Sequence, residues 1–243
     1  MIIGGLEKLT LLDYPDHLAA IIFTQGCNFR CHFCYNPMLV WPSFPGSDEK
    51  NKKKEKGFSP LSTEDLFLFL SERFGRLEGV VITGGEPTLH PDLPEFIKKI
   101  KAIGYLVKLD TNGTNPAMLE ALLADKLIDY VAMDLKAPYE KYVETVGVEV
   151  DYKNLQKSVK IIMSSGLPYE FRTTVVPGLI EKDDFSVMGE SIKGAKKWYL
   201  QFFKSDTELV DTEYETHPPF SSQDMKEFAE IGSKFVDLCE VRE

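Results

Sequence analysis

Six short β-rich runs alternate with helical patterns along this chain, and that alternation leaves few architectures open. The runs are Leu18 to Phe23, Gly79 to Thr83, Tyr105 to Asp110, Ile128 to Leu135, Tyr169 to Val175 and Trp198 to Phe203. Strands separated by helices form β-α-β units with right-handed crossovers, and such units build a parallel sheet. Six of them make an incomplete barrel or an open doubly wound sheet. In either case the side chains at the C-terminal ends of the strands, and in the loops that follow, form the active site.

The intervening patterns carry their own start and stop signals. Leu93, Phe96, Ile97, Ile100 and Ile103 recur at helical spacing behind Asp92 as a cap, with Pro94 in the first turn and Gly104 as the stop. Ser62 opens a helix through Leu66, Leu70 and Phe74, and Asn115-Pro116 opens one with Met118, Leu119, Leu122 and Leu123 on one face. Asp151 opens another through Leu155, Val159 and Ile162, ending at Gly166. Phe185, Met188 and Ile192 mark one more, and Met225, Phe228 and Phe235 the last, with Cys239 expected on it as an ordinary buried cysteine.

At 243 residues and 43% hydrophobic content the chain can bury a full core, and a single domain spanning 1–243 is expected. It would carry one charged insertion at about 43–58, centred on Ser47 to Gly57, read as a solvated loop. A net charge of −10 disfavours nucleic acid and anionic membranes as partners and leaves a protein or a small molecule. Four cysteines, three of them clustered, do not make a disulfide framework, so a reducing cytoplasm is expected. The N-terminus lacks a basic stretch followed by an apolar one, and no run of about 18 apolar residues occurs, so neither secretion nor membrane spanning is expected.

The clustered cysteines follow the first strand as Cys27-x3-Cys31-x2-Cys34. Thiolates suit zinc or an iron–sulfur cluster, and a four-iron cluster normally takes four cysteines, so three would leave one iron open to a ligand. A structural zinc site with His32 as fourth ligand fits less well, because His32 directly follows Cys31 rather than sitting in a separate knuckle. Three structural thiols fit poorly with so polar and turn-prone a loop. The second strand ends in Thr83-Gly84-Gly85-Glu86-Pro87, where the glycines permit close backbone approach and Glu86 offers a fixed acceptor for a cationic amine. Asp110-Thr111 follows the third strand and Asp134-Leu135-Lys136 the fourth; Asp110 could equally cap the next helix. Arg172 and Gln201 on the fifth and sixth strands could join a polar ring or form internal pairs. His17, His90 and His217 have no partner at ligand spacing and read as structural or surface residues.

The cysteine triplet with an aromatic at Phe33, followed about fifty residues on by Gly84 to Pro87, resembles the radical S-adenosylmethionine (SAM) superfamily. The segments Gly4 to Pro15, Cys34-Tyr35-Asn36-Pro37, Asp110 to Thr114 and Phe171 to Gly178 are similar to those of anaerobic ribonucleoside-triphosphate reductase activating proteins, relatives of pyruvate formate-lyase activating enzyme. The resemblance runs from Gly4 to about Phe203. It implies an incomplete (β/α)6 TIM-like barrel of parallel strands in which Cys27, Cys31 and Cys34 ligate a [4Fe-4S] cluster. It also implies that SAM binds the open iron, with Phe33 against the adenine and Gly84, Gly85, Glu86 and Pro87 at the methionine amino group. Lys136 and Arg172 would lie near the carboxylate and ribose, and Gln201 is a further candidate contact. Asp110, Thr111 and Asp134 would hold a monovalent cation. Tyr35 stands where many activators have histidine, and Lys204 where the formate-lyase relative has one.

The activity implied is reductive cleavage of SAM to a 5′-deoxyadenosyl radical, with hydrogen then taken from a glycine of a partner enzyme. Six β-α units use nearly all the chain, which favours a protein substrate, a glycyl-radical enzyme, with flavodoxin or ferredoxin as electron donor. Two other readings are a 7-carboxy-7-deazaguanine synthase type of enzyme acting on a small purine-like substrate, and a non-catalytic metal-binding or electron-transfer protein.

Overall fold

Strand β1 (Ile3–Thr10) leads into β2 (Ala19–Thr24), α1 (Pro37–Val40), α2 (Thr63–Arg73), β3 (Gly79–Gly84), α3 (Leu93–Ile103) and β4 (Leu106–Thr111). The chain continues through α4 (Pro116–Ala124), β5 (Tyr130–Asp134), α5 (Tyr142–Val146), α6 (Tyr152–Ser164), β6 (Tyr169–Val175), α7 (Asp184–Ser191), β7 (Lys197–Phe202), α8 (Ser222–Gly232) and β8 (Leu238–Arg242). These elements come from a computed structural model that describes residues 1–41 and 61–242, so the charged stretch Ser47 to Gly57 lies outside the described residues. The strand order in the sheet follows the chain from β1 to β8. β1 pairs antiparallel with β2, whereas β2 with β3, β3 with β4, β6 with β7 and β7 with β8 are parallel.

The six expected runs are β2 to β7, so the α/β class and the mostly parallel sheet are as anticipated. Two strands were not expected. β1 reads IGGLEKLT, which has neither alternation nor a β-branched run. β8 replaces the far end of the expected last helix: α8 stops at Gly232, Phe235 lies beyond it and Cys239 sits on a strand. Gly232 lets the end of α8 pack closely on its neighbours, since a Cβ there would come 2.6 Å from Cys239 Sγ and 3.0 Å from the Trp198 ring.

The chain divides into two compact units: Met1–Asn28, Pro37–Thr111 and Ala117–Val131 form the first, and Phe29–Asn36, Asn112–Pro116 and Ala132–Glu243 the second. In the first, β2 and β3 are nearly continuous buried runs, as parallel strands covered by helices require. Tyr14, Ala19, Ile21, Val81 and Tyr130 form one cluster of its core. α3 buries Leu93, Phe96, Ile97 and Ile100 and ends on Gly104 at φ 113°, a left-handed conformation that glycine adopts without a Cβ penalty. Asp92 does not cap α3 with its side chain; its carboxylate pairs with the Met1 amino group instead.

In the second unit Trp198 is fully buried on β7, donates Nε1–H to Thr173 Oγ1 at 2.9 Å and lies 5.9 Å from Phe185, which stacks on Phe228. Arg242 on β8 forms a two-pronged pair with the buried Glu170 at 3.1 Å on each arm, its guanidinium 3.7 Å from the Tyr199 ring. Helix α8 opens on a capping box: Ser221 Oγ accepts from Asp224 N–H at 3.1 Å, and the Asp224 carboxylate accepts from Ser221 N–H at 3.0 Å. Ser221→Ala should therefore lower stability by about 1 kcal/mol. Urea titration would show this as an earlier midpoint at an unchanged slope. No helix among the described residues is long and apolar enough to cross a membrane.

Candidate active site

In the first unit the residue Cys27 and the Gly-Gly-Glu-Pro segment are joined through backbone. β2 ends at Thr24 directly opposite Gly84, the last residue of β3, so the chain entering Cys27 runs beside the chain leaving β3. Gly85 N–H donates to the Thr24 carbonyl and Glu86 N–H to the Gly26 carbonyl, both at 2.8 Å. The approach is too close for side chains: a Cβ on Gly84 would come 2.6 Å from Thr24 O, and one on Gly85 2.6 Å from the Gly26 carbonyl carbon. On the other side, Gly26 N–H and Cys27 N–H donate to the carbonyls of Leu39 and Val40 at 2.7 and 3.1 Å, so α1 fixes the same stretch.

Glu86 is buried, and its side chain turns back into the protein. Its Oε1 accepts from Thr88 N–H at 3.1 Å, Thr88 Oγ1–H at 2.5 Å and Thr111 Oγ1–H at 2.8 Å. The carboxylate thus ties the loop after β3, where Pro87 opens a single 3-10 turn, to the end of β4. Thr88, which sequence reasoning missed, is one of the residues that orient it. Asp110 pairs with Lys108 at 2.6 Å, and the Lys108 side chain, only 1% exposed, lies 5.8 Å over the Tyr130 ring. A lysine inside a strand of apolar residues had given no sign of that role.

The second unit holds Cys31, Phe33, Cys34, Asp134, Lys136, Arg172 and Gln201. Arg30 N–H donates to the Val146 carbonyl at 2.8 Å, Phe29 packs edge-on against Tyr142, and Cys34 N–H closes a turn on the Cys31 carbonyl at 3.1 Å. Phe33 is buried, with the Lys136 ammonium 5.8 Å over its ring. Asp134, the last residue of β5, bridges two cations: Oδ1 accepts from Arg172 Nε at 2.9 Å and Oδ2 from Lys136 Nζ at 2.9 Å. Burial alone would push the Asp134 carboxyl up, but Arg172 and Lys136 outweigh it and hold it below the usual carboxylate range. Burial likewise works against the Lys136 charge, and Asp134, with Cys31 adding to it, holds the ammonium above its ordinary value. Burial pushes the Cys34 thiol up, while the Asn36 backbone amide and Lys136 pull the other way. Gln201 lies near the end of β7, half-buried, opposite Thr174 and Arg242.

None of the four cysteines is in a disulfide. Burial raises the Cys239 thiol to about 12, which suits an inert core cysteine. His32 has its Nδ1 engaged by Asp211 Oδ2 at 2.8 Å and its ring stacked on Tyr214, so that nitrogen is committed to a carboxylate. His17 pairs with Glu78 at 3.1 Å and His217 Nδ1 lies 2.9 Å from the Glu213 carbonyl.

The family model of the radical SAM superfamily matches residues 21–186, a stretch that includes the three cysteines, the Gly-Gly-Glu-Pro segment, Asp134 and Arg172. The chain belongs to the radical SAM superfamily. A candidate glycyl-radical enzyme activating enzyme of Methanocaldococcus jannaschii is 31% identical over 246 residues, covering 99% of this chain and 95% of that protein. A 7-carboxy-7-deazaguanine synthase of Neisseria meningitidis is 41% identical over a shorter stretch of 149 residues, 61% of this chain and 58% of that one. The crystal structure of Streptococcus suis SuiB bound to precursor peptide SuiA matches with a TM-score of 0.65 at 14% identity, over 92% of this chain and 48% of that one. That likeness concerns the fold, and it agrees with the partial barrel expected of this radical SAM chain.

Proposed function

We propose that the chain is a single radical SAM domain that installs a glycyl radical on a partner enzyme. Full-length similarity to an activating enzyme carries this reading, since it spans 95% of that relative and leaves little of either chain unmatched. Cys27, Cys31 and Cys34 would hold a [4Fe-4S] cluster, and the donor set suits it: three reduced thiols, soft ligands, within eight residues. Gly84 and Gly85 are packed against the Thr24 and Gly26 backbone, so they would serve the site by holding the chain that enters Cys27 against the end of β3. With both bound, the site would supply one-electron reductive cleavage of SAM and, through it, removal of a hydrogen atom from a glycine α-carbon of the partner.

The chain's own residues bind and orient. The Gly85 and Glu86 N–H groups are spent on Thr24 and Gly26, so the Gly84 to Pro87 segment would meet the amino group of SAM through carbonyl oxygens, and the inward-turned Glu86 carboxylate holds that backbone in shape with Thr88 and Thr111. Lys136 and Arg172, kept charged by Asp134, would position the carboxylate and ribose of SAM, and Phe33 would give the adenine a flat apolar face. Gln201 is a further contact in this scheme. Asp110 and Asp134 already pair with protein cations, so charge balance there does not call for the monovalent ion. A flavodoxin or ferredoxin would supply the electron.

Anaerobic ribonucleotide reductase is the partner we favour, on the character of Gly4 to Pro15 and Phe171 to Gly178. Anaerobic reconstitution followed by mixing with that reductase, SAM and a reductant should give a glycyl EPR doublet and 5′-deoxyadenosine together. Cofactor cleavage without a doublet on any glycyl-radical enzyme would overturn the reading. The 41% identity to a deazaguanine synthase supports a second one, and turnover of a free pterin substrate in the same preparation would favour it.

A further inference from the structure

The segment after β7, beyond the reach of the family model, is bound into the loop that carries Cys31 and Cys34. Val210 N–H donates to the Cys34 carbonyl and Asp211 N–H to the His32 carbonyl, both at 3.0 Å. The Asp211 carboxylate then works in two directions: Oδ2 meets His32 Nδ1 at 2.8 Å, and Oδ1 accepts from Glu213 N–H at 3.0 Å, opening the 3-10 turn Thr212–Thr216. That turn presents Tyr214, whose ring stacks on His32 with centroids 5.5 Å apart, and His217 stacks behind Tyr214 at 4.8 Å. At its other end the segment is anchored by fully buried Leu209, whose N–H donates to Glu215 Oε1 at 3.1 Å.

We propose that Leu209–His217 is a positioning strap, with Asp211 and Tyr214 acting through His32 to fix where the Cys31 and Cys34 sulfurs stand. The inference rests on the reading of those cysteines as cluster ligands. The strap grips the backbone at the carbonyls of His32 and Cys34 and the side chain at His32, so rotation of the short Cys31–Cys34 turn would break contacts on both sides of a ligand. Groups that orient ligands in this way typically change metal retention by about 10- to 100-fold when removed. Core packing elsewhere in the unit would not single out this loop.

The test uses the full chain, reconstituted anaerobically with iron and sulfide. Iron release to a chelator and the EPR spectrum of the reduced protein are followed for wild type, Asp211→Ala, Asp211→Asn and Tyr214→Ala. Asp211→Ala and Tyr214→Ala should release iron about ten-fold faster than wild type and shift the EPR signal, with unchanged circular dichroism. Asp211→Asn, which keeps a polar partner for His32 and an acceptor for Glu213 N–H, should restore most of the retention. Wild-type release rates and spectra in both alanine variants would overturn the strap while leaving the cluster reading intact. A wild-type chain that takes up no four-iron cluster would overturn both. Should Asp211→Ala fail to fold, Tyr214→Ala decides alone, since it removes only the stacking ring.

Discussion

Gly85→Ala should produce a chain that is strongly destabilised and takes up little iron. The added methyl has no room, because it would meet the carbonyl group of Gly26, with the carbonyl carbon only 2.6 Å away. Neither partner can yield cheaply. Gly85 and Glu86 are hydrogen-bonded to Thr24 and Gly26, and Gly26 is held from its other side by Leu39, so relief of the clash requires breaking backbone bonds on one side or the other. Overpacking against mobile side chains costs about 1–3 kcal/mol, and a clash between two tied backbones belongs at or above the top of that range. Displacement of Gly26 also moves Cys27, the next residue, which is why iron uptake should fall with stability. Gly75→Ala provides the control. Gly75 has φ 80° but nothing within 4 Å of a would-be Cβ, so that substitution should cost only the left-handed strain of about 1–2 kcal/mol and leave iron uptake unchanged. Urea denaturation and iron analysis of the two variants side by side would check both; equal effects would show that the tight contact at Gly85 has no special weight.

That contact also marks the limit of what the amino-acid sequence conveys. Gly84-Gly85 beside the cysteine motif could be read as a site for close approach, but what approaches within the fold is the chain leading into Cys27, and a backbone-to-backbone bond leaves no trace in side-chain identity. The inner strands were legible because β2 to β7 are short runs rich in β-branched, aromatic and other apolar residues, bounded by helical periodicity. The outer two were not. β1 holds its place by pairing with β2, with Gly5 opposite Phe23, and contains too many polar and glycine residues to show a period. β8 was hidden because Phe228, Phe235 and Cys239 happen to fall at helical spacing, while the close packing of Gly232 on Cys239 and Trp198 shows only in three dimensions.

The site divides along the same line. Residues whose type alone points to chemistry, the cysteines, Lys136 and Arg172, draw attention in the sequence, and what the structure adds is that Lys136 and Arg172 share the Asp134 carboxylate. Those that act by position could not: Thr88 two residues from Glu86, Lys108 inside an apolar strand, and Asp211, which meets His32 across 179 positions of chain. Glu86 adds a role that its residue type did not suggest, since its Oε1 receives three donors from the protein.

Asp134→Ala should cost roughly 2–4 kcal/mol at neutral pH, because it removes the acceptor shared by two cations that are only 16% and 12% exposed and leaves both in place. The figure sits below the full cost of breaking a deeply buried pair, since the Asp134 carboxylate itself is 26% exposed and partly screened. Asp134→Asn should lose less, as an amide oxygen can still accept from Arg172. The pH dependence separates charge from shape. The folded-state pKa of Asp134 is depressed, so its ionic contribution is fully present above the unfolded carboxylate value of about 4 and is lost as pH falls toward the lower folded value. The stability gap between wild type and Asp134→Asn should therefore be constant at neutral pH and narrow on acidification below about 4. A gap that stayed constant to low pH would mean that Asp134 serves as a neutral hydrogen-bond acceptor rather than as the counter-charge of Lys136 and Arg172. Under the proposed activity, the same variant should also weaken SAM binding. The two cations would no longer be held in one orientation, so the loss should appear in cofactor affinity measured on the reconstituted protein, while the three cysteine ligands and the iron content remain as in wild type.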